Sequence, residues 1–247
     1  MSSGRVAWLD PGDAPDAFPA VDNAMRQPDG LLAAGGDLAT ARLLAAYRQG
    51  IFPWYDEGQP LLWWSPDPRC VFRRNGLHIS RRLRKEIRNS TQQVRINTAF
   101  NDVIAACAGP RRYQPGTWIT PDMREAYERL HGEGWAHSVE VWEDEDLVGG
   151  LYGLAIGRAF FGESMFSRKS NASKMALLFL DRLLDDGRIG IIDCQVHSSH
   201  LVNLGSTSMP RSEFVALLRE LCDPAVRFSA WPDTPTPVSG LLVDPAD

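Results

Sequence analysis

Ser138-Val139-Glu140-Val141-Trp142 alternates polar and apolar side chains, 147–156 runs back after the acidic turn Asp144-Glu145-Asp146, and Ala159-Phe160-Phe161-Gly162-Glu163-Ser164-Met165 returns after Gly157-Arg158. A period of two broken by two turns predicts an antiparallel meander. Ser170 or Asn171 then opens a helix whose apolar face is Ala172, Met175, Ala176, Phe179, Leu180 and Leu183, closed by Gly187. Gly190-Ile191-Ile192-Asp193-Cys194-Gln195 reads as a buried strand. With short helices over 197–204 and 210–221, the order from residue 137 is β-β-β-α-β-α. The crossover from 159 to 195 predicts two parallel strands joined with a right hand. Parallel strands place ligands at their C-terminal ends, which is where 162–167 and 193–195 would meet.

Upstream the signals are shorter. A helix over 38–48 carries Leu43, Leu44 and Tyr47 on one face and stops at Gly50. Residues 51–68 combine Trp54, Tyr55, Trp63 and Trp64 with five prolines or glycines, a composition of loops and short strands. A short strand follows at 70–72, a basic helix capped by Ser80 runs to about Asn89, and a strand covers 93–96. Phe100, Val103, Ile104 and Cys107 form the stripe of the next helix. Thr120 and Pro121 open another as N-cap and first-turn proline, with Met123, Ala126, Tyr127 and Leu130 inward. The first 20 residues read as an extended lead-in and the five-proline tail as mostly irregular. The chain therefore reads as α+β, with a small N-terminal domain over 1–68, a mixed-sheet domain over 69–223 and a Pro-rich tail over 224–247.

With 44% hydrophobic and 23% charged residues, the composition is that of an ordinary globular protein. No apolar stretch is long enough to span a bilayer and no basic-then-apolar leader opens the chain, so a soluble cytoplasmic protein is expected. Cys70, Cys107, Cys194 and Cys222 lie far apart without a C-x-x-C, which argues against a disulfide framework or zinc ribbon. Charge is segregated: residues 69–112 hold eleven basic and two acidic residues in an otherwise acidic chain. That segment, with Arg69, Arg73, Arg74, Arg81, Arg82, Arg84, Lys85 and Arg88 at its centre, points either to a local polyanion contact or to a solvated helix face.

Several chemistries can be weighed on the residues. Glu163 and Asp193, at the ends of neighbouring parallel strands, can place two carboxylates in one cleft, where like charge raises one pKa. The alternative is that Glu163 only satisfies backbone N–H groups or Arg168. In Asp193-Cys194-x-x-His197-x-x-His200 the histidines lack H-E-x-x-H spacing, so no metal is expected. Cys194 should point away from Asp193 and Gln195, as a small buried residue. Ser164 and Ser167 have no nucleophile elbow. Arg129 to Gly134 spells R-x-x-G-x-G, the phosphate cradle of acetyl-CoA-dependent acetyltransferases, but it ends a helix instead of opening one. Trp54, Trp63, Trp64 and Trp118 fit either the core or the stacking of an unpaired base.

Longer strings carry a resemblance. They are Gly30-Leu31-Leu32-Ala33, Gly35-Gly36-Asp37-Leu38, Tyr47-Arg48-Gln49-Gly50-Ile51-Phe52-Pro53-Trp54, Trp63-Trp64-Ser65-Pro66-Asp67-Pro68-Arg69, Thr117-Trp118-Ile119, Ala136-His137-Ser138-Val139-Glu140, Val148-Gly149-Gly150, Gly162-Glu163-Ser164-Met165-Phe166-Ser167, Ala172-Ser173-Lys174 and Asp193-Cys194-Gln195. From about Phe18 to Leu221 the chain resembles the bacterial leucyl/phenylalanyl-tRNA–protein transferases. It departs from them in Ser206 after Gly205, where alanine is expected, and in the Pro-rich tail.

The resemblance implies an enzyme that moves leucine or phenylalanine from aminoacyl-tRNA to proteins with N-terminal Arg or Lys, marking them for degradation by the N-degron pathway; a permissive apolar pocket should admit methionine too, in a graded order, and fit β-branched side chains poorly. It implies an N-acetyltransferase-like larger domain, a monomer, and no cofactor, since the acyl group arrives on tRNA. Trp54 and Trp118 would contact the 3′-terminal adenosine. Glu163, Asp193 and Gln195 would line the reactive centre; for aminolysis of an ester there, Asp193 is expected to orient Gln195 and help collect the proton, Gln195 to hold the amine, and Glu163 to position the aminoacyl end or attract the cationic acceptor peptide. Leu151, Met165, Leu177 and Phe179 would form the side-chain pocket, and Arg81, Arg82, Arg84 and Lys85 would hold the tRNA backbone. The rival readings are a tRNA-binding module without catalysis and a CoA-dependent N-acetyltransferase.

Overall fold

A computed structural model of the protein describes residues 6–109, 119–223 and 227–242. A small N-terminal domain holds β1 (Ala7–Leu9), β2 (Leu31–Gly35), α1 (Thr40–Arg48), β3 (Phe52–Pro53) and β4 (Leu62–Trp64), its sheet ordered β1-β2-β4-β3. Then come β5 (Arg69–Phe72), α2 (Arg81–Arg88), β6 (Gln93–Ile96), α3 (Phe100–Ala108) and α4 (Pro121–Gly132). The meander is β7 (Ala136–Glu143), β8 (Asp146–Ile156) and β9 (Ala159–Ser167), followed by α5 (Ala172–Asp185) and β10 (Ile191–Gln195). Helix α6 (Ser199–Asn203), β11 (Thr207–Met209), α7 (Arg211–Leu221) and β12 (Thr236–Pro237) complete the chain. The large sheet is ordered β11-β5-β10-β9-β8-β7-β6-β12; β9 and β10 are its parallel pair.

The alternation read in the sequence separates two cores. Phe161, Tyr152, Ile191 and Val71 face one layer with α1, α3, α4 and α7. Their neighbours Phe160, Leu151, Ile192 and Phe72 face the other, with α2 and α5. Helix starts are set by side chains where the sequence marks them. Ser80 accepts from Leu83 N–H at 3.2 Å, and Thr120 from Met123 N–H at 3.2 Å. At α3 the N-cap is Ala99, which cannot cap. The fully buried Glu140 reaches across from β7 to accept Ala99 N–H at 2.8 Å, with Thr98, Ser138 and Trp142 as further donors. The string around Glu140 is thus a fold feature.

Four stretches differ from expectation, the first being β2, a strand over Leu31–Gly35 where none is expected. The lead-in contains β1, tied down by Arg42, whose guanidinium donates to the carbonyls of Asp10, Pro11, Asp13 and Ala14. The edge strand β11, three residues long, was not legible. The tail is not simply irregular: β12 pairs with β6, and Phe228, Val238 and Leu241 are buried.

Candidate active site

Strands β9 and β10 pair only from Ala159 opposite Ile191 to Phe161 opposite Asp193. Beyond that point they part, and a cavity of about 760 Å³ opens between them, within the range of small-molecule sites. Leu151, Phe160, Met165, Leu177, Leu180 and Ile192 supply apolar wall; Glu163, Ser164, Ser173 and Cys194 supply polar atoms. A register shift in β8–β9 inserts Glu163 between Gly162 and Ser164, which pair with Gly153 and Tyr152. The bulge re-aims the Glu163 carboxylate toward two helices.

There Tyr47 of α1 donates to Oε1 at 2.7 Å, and Tyr127 of α4 donates to Oε2 at 3.0 Å. The two tyrosine hydroxyls also touch each other within hydrogen-bond reach. Gln195 Nε2 donates to Oε1 at 2.7 Å. Burial lifts the Glu163 carboxyl to about 7, with the negative charge of Asp193 adding to the rise and the three donors opposing it. Burial and the Glu163 charge push both phenols well above their usual value. The alternative partners weighed for Glu163, backbone amides and Arg168, are not its partners here: Arg168 donates to Leu147 O.

Asp193 is fully buried and does not line the cavity. Both its oxygens are taken by Arg69, at 2.9 and 2.7 Å, and Oδ1 also accepts Gln195 N–H at 2.8 Å. Asp193 therefore meets Gln195 at its backbone N–H, where φ is 63°, and its carboxylate is not among the groups that line the cavity. Arg69 belongs to this buried pair, between the rings of Phe52 and Phe214, and not to a surface polyanion contact.

Leu151, Met165 and Leu177 line this cavity, and Phe179 does not. Residues 173, 177 and 180 share a helix face, whereas 179 lies two residues from 177 and turns away; Leu180 takes its place. Trp54 is 41% exposed, with its ring 5.7 Å from that of Trp64. Trp63 is core, donating to Gly35 O at 2.9 Å. Trp118 lies outside the described residues. Arg81, Arg82 and Lys85 are exposed and Arg84 half-buried, over the inward Leu83 and Ile87. His200 lines the cavity, whereas His197 meets Ser208 at 3.2 Å. Among the described residues no His/Cys/Asp/Glu group is arranged to hold a metal, and no helix is long and apolar enough to cross a membrane.

Sequence reading missed Tyr47, Tyr127 and Arg69 as parts of the site. The available signal was a tyrosine in each of two inward helix stripes, where a buried hydroxyl requires a partner.

An apolar slot ending in a carboxylate of raised pKa suits transfer of a small acyl group. The family model of the leucyl/phenylalanyl-tRNA protein transferases matches residues 71–219, and that of their N-terminal domain matches 36–67. The chain is 59% identical to the leucyl/phenylalanyl-tRNA–protein transferase of Aromatoleum aromaticum, over 85% of this chain and 88% of the relative. It is 54% identical to that of Xylella fastidiosa strain M12 (90% and 92%) and 53% to that of Methylococcus capsulatus (93% and 98%). The chain belongs to the leucyl/phenylalanyl-tRNA–protein transferase family.

Proposed function

We propose that the protein transfers leucine or phenylalanine, and methionine less selectively, from aminoacyl-tRNA to the α-amino group of proteins with N-terminal Arg or Lys. The observation that carries this is the apolar cavity at the β9–β10 split, ending at Glu163 in a chain of this family. The neutral amine attacks the ester carbonyl and the ribose oxygen of the terminal adenosine leaves, with no cofactor. An α-amine with a pKa of about 7.7–8.0 needs only a modest base. Much of the acceleration is proximity.

Leu151, Met165, Leu177 and Leu180 would receive the side chain. One methylene in such a slot is worth only ~1–3 kcal/mol, so selection is graded, and β-branched side chains fit a straight slot poorly. Trp54 and Trp118 would stack on the terminal adenosine. The basic face of α2 would hold the tRNA backbone. With Arg81 and Arg82 in its first turn and no acidic residue there, α2 opposes its own dipole, a cost that an external polyanion would offset.

The β7-β8-β9-α5-β10 order with its diverging parallel pair supports an N-acetyltransferase-like architecture. The two sheets support domains over 1–68 and 69–223, with a tail over 224–247. A cytoplasmic monomer fits this reading. Incubation with leucyl-tRNA and an Arg-initiated peptide tests it. Leucyl-peptide formation is expected; tRNA binding without transfer would favour the binding module, and acetylation with acetyl-CoA the acetyltransferase.

A further inference from the structure

Glu163, Tyr47 and Tyr127 form a closed triangle of oxygens in which each residue contacts the other two. When the carboxylate is ionised, two phenolic protons serve three oxygen–oxygen contacts, so one contact must stay without a hydrogen. A third proton closes the ring, with the carboxyl donating to one phenol, that phenol to the other, and the second phenol to the carboxyl. The arrangement is thus built to accept one proton. A carboxylate offers about four acceptor positions, and Tyr47, Tyr127 and Gln195 occupy three. The fourth, on Oε2, remains for a donor arriving in the cavity that Glu163 lines.

We infer that Tyr47 and Tyr127 are positioning residues of the transfer reaction, coupling to Glu163 so that this ring takes the proton leaving the attacking α-amine and returns it to the departing ribose oxygen. The inference rests on the aminoacyl-transfer reading above. The amine nitrogen forms a bond to the carbonyl carbon, the bond from that carbon to the ribose oxygen breaks, and the proton lost from nitrogen ends on the ribose hydroxyl. No other reactant is required. Asp193 cannot serve instead, since Arg69 holds both its oxygens away from the cavity.

The groups facing Glu163 fix the sign of the pH response. Tyr47 and Tyr127 hold their protons to high pH, Asp193 opposes ionisation from β10 with Arg69 partnering it, Tyr152 of β8 adjoins the tyrosines, and Cys107 and Cys194 line the same cavity. Each phenol that donates to the carboxylate favours its ionised form. Losing a phenol should therefore raise the pH at which Glu163 becomes a base.

The test uses the full chain with leucyl-tRNA and an Arg-initiated peptide, following kcat from about pH 6 to 9 for wild type, Tyr47→Phe, Tyr127→Phe and Glu163→Gln. Wild type and the two Tyr→Phe variants are titrated by the infrared band of the Glu163 carboxyl, which its absence in Glu163→Gln assigns, and folding of all four is checked by thermal melting. In wild type, kcat should climb through a limb near the Glu163 titration midpoint. Each Tyr→Phe change should move both limb and midpoint up by ~1 pH unit, and lower kcat roughly fivefold at neutral pH with little change in the KM for leucyl-tRNA. Glu163→Gln should remove the limb and cost on the order of 10²-fold in kcat. Folded Tyr→Phe variants with an unmoved midpoint and limb overturn the ring while leaving the transfer reading intact. Wild type that forms no leucyl-peptide overturns both. If Tyr47→Phe fails to fold, Tyr127→Phe decides, because it removes the donor to the other oxygen.

Discussion

Arg69 grips both carboxylate oxygens of Asp193, with Nε 2.9 Å from one and Nη2 2.7 Å from the other, and the pair is sealed from solvent. The same guanidinium donates to Gly50 O at 3.1 Å, so one side chain ties the loop after α1 to the end of β10. Asp193 passes that constraint to Gln195 N–H, and Gln195 passes it to Glu163. The Glu163 end of the cavity is therefore set by a chain of contacts that starts in the basic segment.

Removing one partner of a sealed pair strands the other charge. Asp193→Ala should cost ~3–5 kcal/mol in urea unfolding. Asp193→Asn, which keeps an acceptor for Gln195 N–H, should cost less and, by removing a negative charge that opposes Glu163 ionisation, move the kcat limb to lower pH. A limb that vanishes in Asp193→Asn while the Glu163 carboxyl still titrates would return Asp193 to the role of base.

Trp54 and Trp63 should separate by measurement. Trp54→Ala should raise the KM for aminoacyl-tRNA by the equivalent of ~1–3 kcal/mol of stacking, with an unchanged melting temperature because the ring is exposed. Trp63→Ala should instead destabilise the fold by ~3–5 kcal/mol. An unchanged KM in Trp54→Ala would remove it from adenosine recognition.

Much of this site was legible as position and little of it as partnership. The meander and the crossover were readable because Phe160 and Phe161, or Ile191 and Ile192, alternate between two cores. Ser80 and Thr120 were readable because caps act over three residues. Tyr47, Tyr127 and Glu163 come from sequence separations of 36 to 116 residues, and local periodicity carries no information on which hydroxyl meets which carboxylate. The strand Leu31–Gly35 was missed because two alanines and a glycine give it no alternation, and β1 because an edge of three residues has no period. Phe179 was misplaced because an apolar helix such as α5, buried on most of its circumference, does not declare which face a cavity will use.

The slot itself offers a contrast between adjacent residues. Leu180→Phe should narrow the cavity and depress transfer of phenylalanine more than that of leucine, by ~1–3 kcal/mol in relative kcat/KM. Phe179→Leu should change stability and leave the Leu/Phe ratio as it was. Competition between the two charged tRNAs measures the ratio directly, and equal effects of the two substitutions would contradict the assigned faces.

The α2 charges should announce themselves in salt dependence. Neutralising Arg81, Arg82, Arg84 and Lys85 together should weaken binding of every tRNA isoacceptor and flatten the log–log salt plot by roughly 0.9 for each lost phosphate contact on duplex. The helix itself should change little, because Arg81 and Arg82 oppose its dipole in the first turn while Lys85 complements it in the last. A slope identical to wild type would move the acceptor stem off α2.

Asp181 supplies a pH effect on stability outside the reaction. It is buried on α5, where desolvation and the neighbouring Asp185 lift its carboxyl to about 7 from an ordinary 3.8. A carboxyl that binds its proton more tightly in the folded chain than in the unfolded one stabilises the fold fully below about pH 4, and this contribution is lost as pH rises through 7. Glu163 acts in the same direction over nearly the same window. His137 acts oppositely: burial lowers it to about 4, so its contribution is complete above pH 6.5 and fades toward pH 4. Above pH 6.5 the two carboxyls oppose a further rise until both are ionised, so stability should fall through pH 7 and level off toward pH 8. Asp181→Asn keeps an oxygen for its backbone donor, Leu77, without a charge to desolvate. It should therefore melt higher than wild type at pH 8 and show a flatter dependence down to pH 6.5, with transfer activity retained because Asp181 is not among the residues that line the cavity. Melting curves across that range decide it: parallel pH profiles for the two proteins would mean that Asp181 is already ionised in the fold at neutral pH.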